Sequence, residues 1–113
     1  MKSGYVPEKG DVVWLDFDPQ TGHEQSGRRP AFVLSPAKYS GRTGLMLCCP
    51  VATQVKGYPF EVAIEGNAQV KGVILADQVK SLDWQKRHAE KKGKVSKVVI
   101  EEVIEKIMAI FEG

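Results

Sequence analysis

The spacing of apolar positions changes along the chain. From Asp11 to Phe17 the run DVVWLDF is β-branched and aromatic with weak alternation, which predicts a strand ended by Asp18 and Pro19. A second run, Ala31–Ser35, follows Pro30, and proline is tolerated at the start of a strand. Leu45–Val51 is continuously apolar and short enough for a buried strand; Pro50 near its end suggests that it leaves the sheet there. Phe60–Ile64 alternates, Gly72–Val79 reads as a further strand broken by Asp77 and Gln78, and His88–Val95 as a short basic one. Between them lie a loop over 18–29, a connection over Pro36–Gly44 with room for a helical turn, a polar loop at Thr53–Gly57 and a turn at Gly66–Lys71. The period then becomes helical. Ile100, Val103, Ile104, Ile107, Met108 and Phe111 fall on one face, with glutamates and Lys106 opposite. Ser96 is the expected N-cap, and Glu101 and Glu102 near the start suit the helix dipole.

Several short strands followed by one amphipathic helix predict a mainly β fold, a small β-barrel with the helical stripe packed on it. There is no repeat, low-complexity tract or linker, so residues 1–113 are expected to form one domain. An apolar content of 42% against 27% charged residues argues against a disordered chain. No apolar run approaches the roughly 20 residues of a membrane span. The start, MKSGYVPEKGD, has no apolar signal core, so the expected compartment is the cytoplasm. Cys48 and Cys49 are adjacent and would point to opposite faces of a strand. A disulfide between neighbours is strained and no second Cys or His pair completes a zinc site, so both are expected reduced, one of them in the core.

A net charge of +2 decides little, but its distribution says more. Lys86, Arg87, Lys91, Lys92, Lys94 and Lys97 face only Glu90, whereas the last segment carries Glu101, Glu102, Glu105 and Glu112. The loop GHEQSGRRP (residues 22–30) joins an acid, a base and paired cations. Glu24 can take a proton, and the planar fork of Arg29 fits a phosphate. RNA cleavage needs little more: a base for the ribose 2′-hydroxyl, a cation for the charge on the phosphorane, and an acid for the leaving 5′-oxygen. His23 or a protonated Glu24 could be that acid, and the scheme uses no metal. The simpler alternative is a surface ion pair of Glu24 with Arg28 or Arg29, worth less than about 1 kcal/mol. A second cluster is Asp77-Gln78-Val79-Lys80, in which Asp77 could orient Arg29 or act as a second base and Gln78 could read a base edge. Alternatively it is only a polar exit from the core. A third is Thr53-Gln54-Val55-Lys56-Gly57-Tyr58, with Tyr58 available for stacking. Trp14 and Trp84 read as core or interface.

The stretches KGDVVWLDFDP, GHEQSGRRPAFVLSP, TQVKGYPFEV, GVILADQVKSLDW and KKGKV, in this order, resemble the MazF/PemK endoribonuclease toxins of bacterial type II toxin–antitoxin systems, the MazF branch above all. The resemblance runs from about Tyr5 to the final helix. It implies an SH3-like, CcdB-like barrel of about five to seven strands, working as a homodimer with no cofactor. It implies metal-independent cleavage of single-stranded RNA at a short motif, leaving 2′,3′-cyclic phosphate and 5′-hydroxyl ends. Glu24 and Arg29 match the family's loop acid and arginine. Asp77 and His23 match residues that are catalytic in the PemK branch. Arg28, Gln25, Gln54, Lys56, Tyr58, Gln78 and Lys80 are then expected to contact RNA. An antitoxin with an acidic disordered tail would compete for Arg29, Lys56, Lys80, Arg87 and Lys91, in an expected heterohexamer. Two positions depart from the pattern. Leu75 stands where the PemK branch has an arginine, and Ala52 where many relatives have threonine, so Thr53 one residue later is the candidate hydroxyl. The competing readings are a CcdB-like inhibitor of DNA gyrase and a non-catalytic binding barrel. Against the first, the chain ends IFEG with no tryptophan nearby and carries the Glu/Arg loop.

Overall fold

Strands β1 (Asp11–Asp16), β2 (Arg28–Val33), β3 (Leu45–Ala52), β4 (Glu61–Ile64), β5 (Gly72–Leu75), β6 (Lys80–Asp83) and β7 (Glu90–Lys94) join helices α1 (Ala37–Thr43) and α2 (Lys97–Glu112) in a computed structural model. The structure describes residues 4–16, 28–67 and 69–113. The strands form one antiparallel, curled half-barrel in the order β4-β5-β3-β2-β1-β7, with β6 also paired to β3.

The weak alternation of the first strands has a direct cause: both faces of this part of the sheet are covered. Val12, Phe32, Cys49 and Val51 face one cluster, which Val62, Ile74, Val99 and Val103 complete from β4, β5 and α2. Val13, Leu15, Ala31, Val33, Met46 and Cys48 face the other, closed by Trp84 with Tyr5 and Val6 beside it. Cys48 and Cys49 thus do point to opposite faces, and both are buried as free thiols. Trp84 is a core residue, held by an indole N–H bond to the Ser40 carbonyl (2.9 Å). Trp14 is half-buried, with the Lys92 ammonium 5.0 Å from its ring centroid.

Strand β3 is the pivot. Leu45–Cys48 pairs with β6, Cys48–Pro50 with β2 and Val51–Ala52 with β5. Pro50 therefore marks a change of partner, and the strand continues past it. Gly72 permits the last pairing. Its φ of +128° suits glycine, and a Cβ there would collide with the Ala52 carbonyl oxygen.

Other boundaries also differ from the sequence reading. β2 begins at Arg28, not Ala31, and ends at Val33, not Ser35. Its first residues pair with β1 beyond the last β3 partner, Ala31↔Pro50, so Pro30 opposite Trp14 occupies an edge position. The expected strand Gly72–Val79 stops at Leu75: Ala76 N–H donates to the Phe60 carbonyl and Gln78 N–H to that of Leu75, turning the chain into β6. The Pro36–Gly44 connection holds α1. In α2 the Ser96 hydroxyl accepts from Val99 N–H (3.4 Å), as expected of the cap, but the first turn contains no acid. Glu101 and Glu102 start too late to gain from the dipole, which fades within one turn. The apolar stripe is also only partly used. Val99 and Val103 are buried and Ile100 and Ile107 pack beside them, while Met108 is 48% and Phe111 79% exposed.

Candidate functional site

A cleft of about 660 Å³ opens where the start of β2, the ends of β3 and β5 and the start of β4 meet. Its floor is apolar: Pro30, Val51, Ala52, Phe60 and Leu75. Its rim is polar and comes from three chain segments. Arg28 and Arg29 open β2; Thr53, Gln54, Lys56, Tyr58 and Glu61 lead from β3 into β4; Asp77 and Gln78 form the turn after β5. The three clusters found in the sequence thus converge on one concavity.

The two arginines differ. Arg28 Nη1 lies 3.0 Å from Asp16 Oδ1 and Nη2 3.2 Å from Glu90 Oε1, so its fork is already occupied. Among the described residues Arg29 has no ion-pair partner. It is exposed at the cleft, available to an anion. Asp77, Gln78, Thr53, Gln54, Lys56 and Tyr58 are exposed as well, Tyr58 by 62%. An exposed guanidinium and ammonium, side-chain amides, a carboxylate and an exposed phenol ring over an apolar floor suit a flexible polyanion bearing planar rings. Among the described residues no group of three or more His, Cys, Asp or Glu is placed to hold a metal ion.

His23, Glu24 and Gln25 lie outside the described residues. Lys80 opens β6 opposite Cys48 and does not line the cleft. Arg87 donates to the Asp16 carbonyl (2.9 Å). Lys80 and Arg87 share a neighbourhood, since the charges of both favour the Cys48 thiolate, although burial dominates and pushes that thiol up to about 12. Lys91 lines a different cleft with Tyr5, Trp84 and Glu90, and its ammonium lies 3.6 Å from buried Asp11. The five cations expected to bind an acidic tail are therefore not one patch: Arg29 and Lys56 share the cleft, and the others lie outside it.

Two features escaped the sequence reading. One is Asp16, which accepts from Arg28 and lies 2.8 Å from His88 Nδ1; these bonds, His88 first, hold its carboxyl below the usual range. The other is Glu61. Its carboxylate accepts from Gly57 N–H (2.9 Å) and Lys56 N–H (3.1 Å), closing the loop that carries the rim. The acid at the first position of β4, four residues after Gly57 with its φ of +80°, was the available signal.

The family model for the PemK-like, MazF-like toxin of type II toxin-antitoxin systems matches residues 8–111. The endoribonuclease toxin MazF of Escherichia coli (strain K12) is 57% identical over 96 residues, covering 85% of this chain and 86% of that protein. A crystal structure of MazF from Deinococcus radiodurans superposes with a TM-score of 0.85 at 52% identity, covering 96% of this chain and 99% of that one. A chain of a MazE-MazF crystal structure from the same organism reaches 0.85 at 47% identity over 96% and 97% of the two chains.

Proposed function

Because the chain belongs to the PemK-like, MazF-like toxin family of type II toxin–antitoxin systems, we propose that it is an endoribonuclease toxin that cuts single-stranded RNA and is silenced by a cognate antitoxin. The observation that carries the reading is the cleft itself: Arg29, without an ion-pair partner among the described residues, Asp77 and the Thr53–Tyr58 rim meet over an apolar floor. In the mechanism, Glu24 takes the proton of the ribose 2′-hydroxyl. That oxygen attacks the phosphorus, and Arg29 stabilises the charge building on the phosphorane. The bond to the 5′-oxygen breaks as His23, or Glu24 now protonated, returns a proton to it. The products are a 2′,3′-cyclic phosphate and a 5′-hydroxyl, with no metal in the scheme. Asp77 lies on the same cleft without pairing to Arg29, and serves as a second base. Leu75 lies in the floor, so the main phosphate contact falls to Arg29, and Thr53 supplies the hydroxyl that Ala52 lacks. Tyr58 stacks on a base, Gln54, Gln78, Lys56 and Arg28 line its path, and Gln25 and Lys80 are further RNA contacts.

Arg29 and Lys56, which share the cleft, suit an acidic, disordered antitoxin tail that folds on binding and competes with RNA. The working assembly is a homodimer, joined by the antitoxin into a heterohexamer in the cytoplasm. No helix among the described residues is long and apolar enough to cross a membrane.

The test is to incubate the protein with a long single-stranded RNA in EDTA and map the new ends. Discrete cuts at a shared short motif with 5′-hydroxyl ends are expected. Arg29→Ala should slow them by about 10²–10³ and Glu24→Ala by about 10²–10⁴. Full-rate cutting by Arg29→Ala would remove the mechanism.

A further inference from the structure

The rim of the cleft is held by a group that plays no part in the chemistry above. Glu61 lies at the start of β4, and its two carboxylate oxygens reach back to the preceding loop. Oε1 accepts from Gly57 N–H at 2.9 Å and from Lys56 N–H at 3.2 Å, and Oε2 also accepts from Lys56 N–H at 3.1 Å. Its own N–H donates to the Tyr58 carbonyl at 3.1 Å. One residue therefore closes the turn from both sides, with charge-assisted bonds on one of them. Glu61 is also paired in register with Leu75, and Ala76 N–H donates to the Phe60 carbonyl at 3.0 Å. The rim bearing Lys56 and Tyr58 is thus referred to the same strand pair that leads into the turn of Asp77 and Gln78. A separate bond from Lys106 of α2 holds the Pro59 carbonyl at 3.0 Å, so the loop has a second anchor outside the Lys56–Gly57 turn.

We propose that Glu61 is a specificity-determining positioning residue: by clamping the Lys56–Gly57 turn it sets Lys56 and Tyr58 against Gln78 across the cleft, and so decides which bases the enzyme accepts. The proposal rests on the RNA-cleaving reading. A carboxylate facing an RNA cleft is electrostatically unfavourable for binding phosphate, yet both of its oxygens are taken by backbone amides. Its role is order in the rim, and the effect of losing it falls on substrate binding and selectivity more than on the chemical step.

Two substitutions separate this from a charge effect. Glu61→Gln keeps one oxygen able to accept from both amides but removes the charge. Glu61→Ala removes charge and clamp together. Glu61→Ala is expected to raise KM by about tenfold and admit cuts outside the wild-type motif, with kcat changed by less than about threefold. Glu61→Gln should stay within about threefold of wild type and keep the motif. Equal behaviour of the two variants would mean that charge alone acts, and would overturn the proposal. So would an unchanged motif and KM in Glu61→Ala, even if its melting temperature drops. Amide hydrogen exchange provides a readout independent of cleavage. The Lys56 and Gly57 amides should be protected in wild type and Glu61→Gln and lose protection in Glu61→Ala. If the wild-type protein cuts no RNA, the RNA-cleaving reading falls and the specificity proposal with it, even where the exchange pattern holds; if it cuts RNA but the amides exchange alike in all three proteins, only the clamp falls.

Discussion

His88 has a backbone φ of 55°, the left-handed region that suits glycine, in the turn that leads into β7. Backbone bonds force the shape: Arg87 N–H donates to the Asp83 carbonyl, His88 N–H to that of Gln85 and Ala89 N–H to that of Trp84. A side chain in that conformation costs about 1–2 kcal/mol. The imidazole offsets part of this through Asp16, at 2.8 Å. The two contributions can be separated. His88→Ala keeps the strained backbone and loses the bond, so it should destabilise by about 1 kcal/mol. His88→Gly loses the same bond but relieves the strain, and should be more stable than His88→Ala by about 0.5–1 kcal/mol. Denaturant midpoints of the three proteins decide it. Equal midpoints for Gly and Ala would mean that the backbone there is not strained.

Elements were legible where periodicity was strong and obscure where partners were remote. Strands β1 and β3 and helix α2 follow from apolar spacing and the Ser96 cap. Strand β6, KSLD, has too few apolar residues to stand out, and it forms because β3 offers it a free stretch at Leu45–Cys48. The start of β2, RRP, is polar and broken in sequence and locally favours a loop, whereas pairing with β1 overrides that preference. Likewise the three polar clusters were visible, but their convergence, the capture of Arg28 by Asp16 and Glu90, and the clamp by Glu61 depend on tertiary contact. Helix α2 shows what the stripe alone could not: its packing stops at Ile107. Val103 is fully buried and Phe111 79% exposed. Val103→Ala should therefore cost about 2–3 kcal/mol, while the larger truncation Phe111→Ala should cost about 0.5 kcal/mol or less. Chemical denaturation at two protein concentrations checks this. A loss at Phe111 that depends on concentration would mean that a second copy covers the tail, as the proposed homodimer allows.

For the molecule as a whole, the two-faced sheet ties stability to alkaline pH. Cys48 sits in one cluster and Cys49 in the other. Burial, reinforced at Cys49 by the neighbouring Cys48 and by Asp77, pushes each thiol up to about 12. The Tyr5 phenol is raised too, by burial and by its 2.6 Å bond to Asp11. Below the ordinary thiol value near 9, folded and unfolded chains both keep these protons, and the stabilising contribution is complete. Between there and about 12 the unfolded chain gives up thiol protons that the folded chain retains. Ionisation then favours unfolding, by up to about 1.4 kcal/mol per pH unit for each thiol. Melting temperature should accordingly fall steeply as pH rises above 9, with Tyr5 adding to the slope above its ordinary 10.0. The informative quantity is a difference in slope between the wild type and variants that lack one thiol. Cys48→Ala and Cys49→Ala should each lower the melting temperature at pH 7, through the lost sulfur contacts, yet flatten its fall between pH 9 and 11.5 relative to wild type. Parallel slopes in all three proteins would mean that the thiols ionise alike in the folded and unfolded chain, and that burial on the two faces of the sheet does not hold their protons.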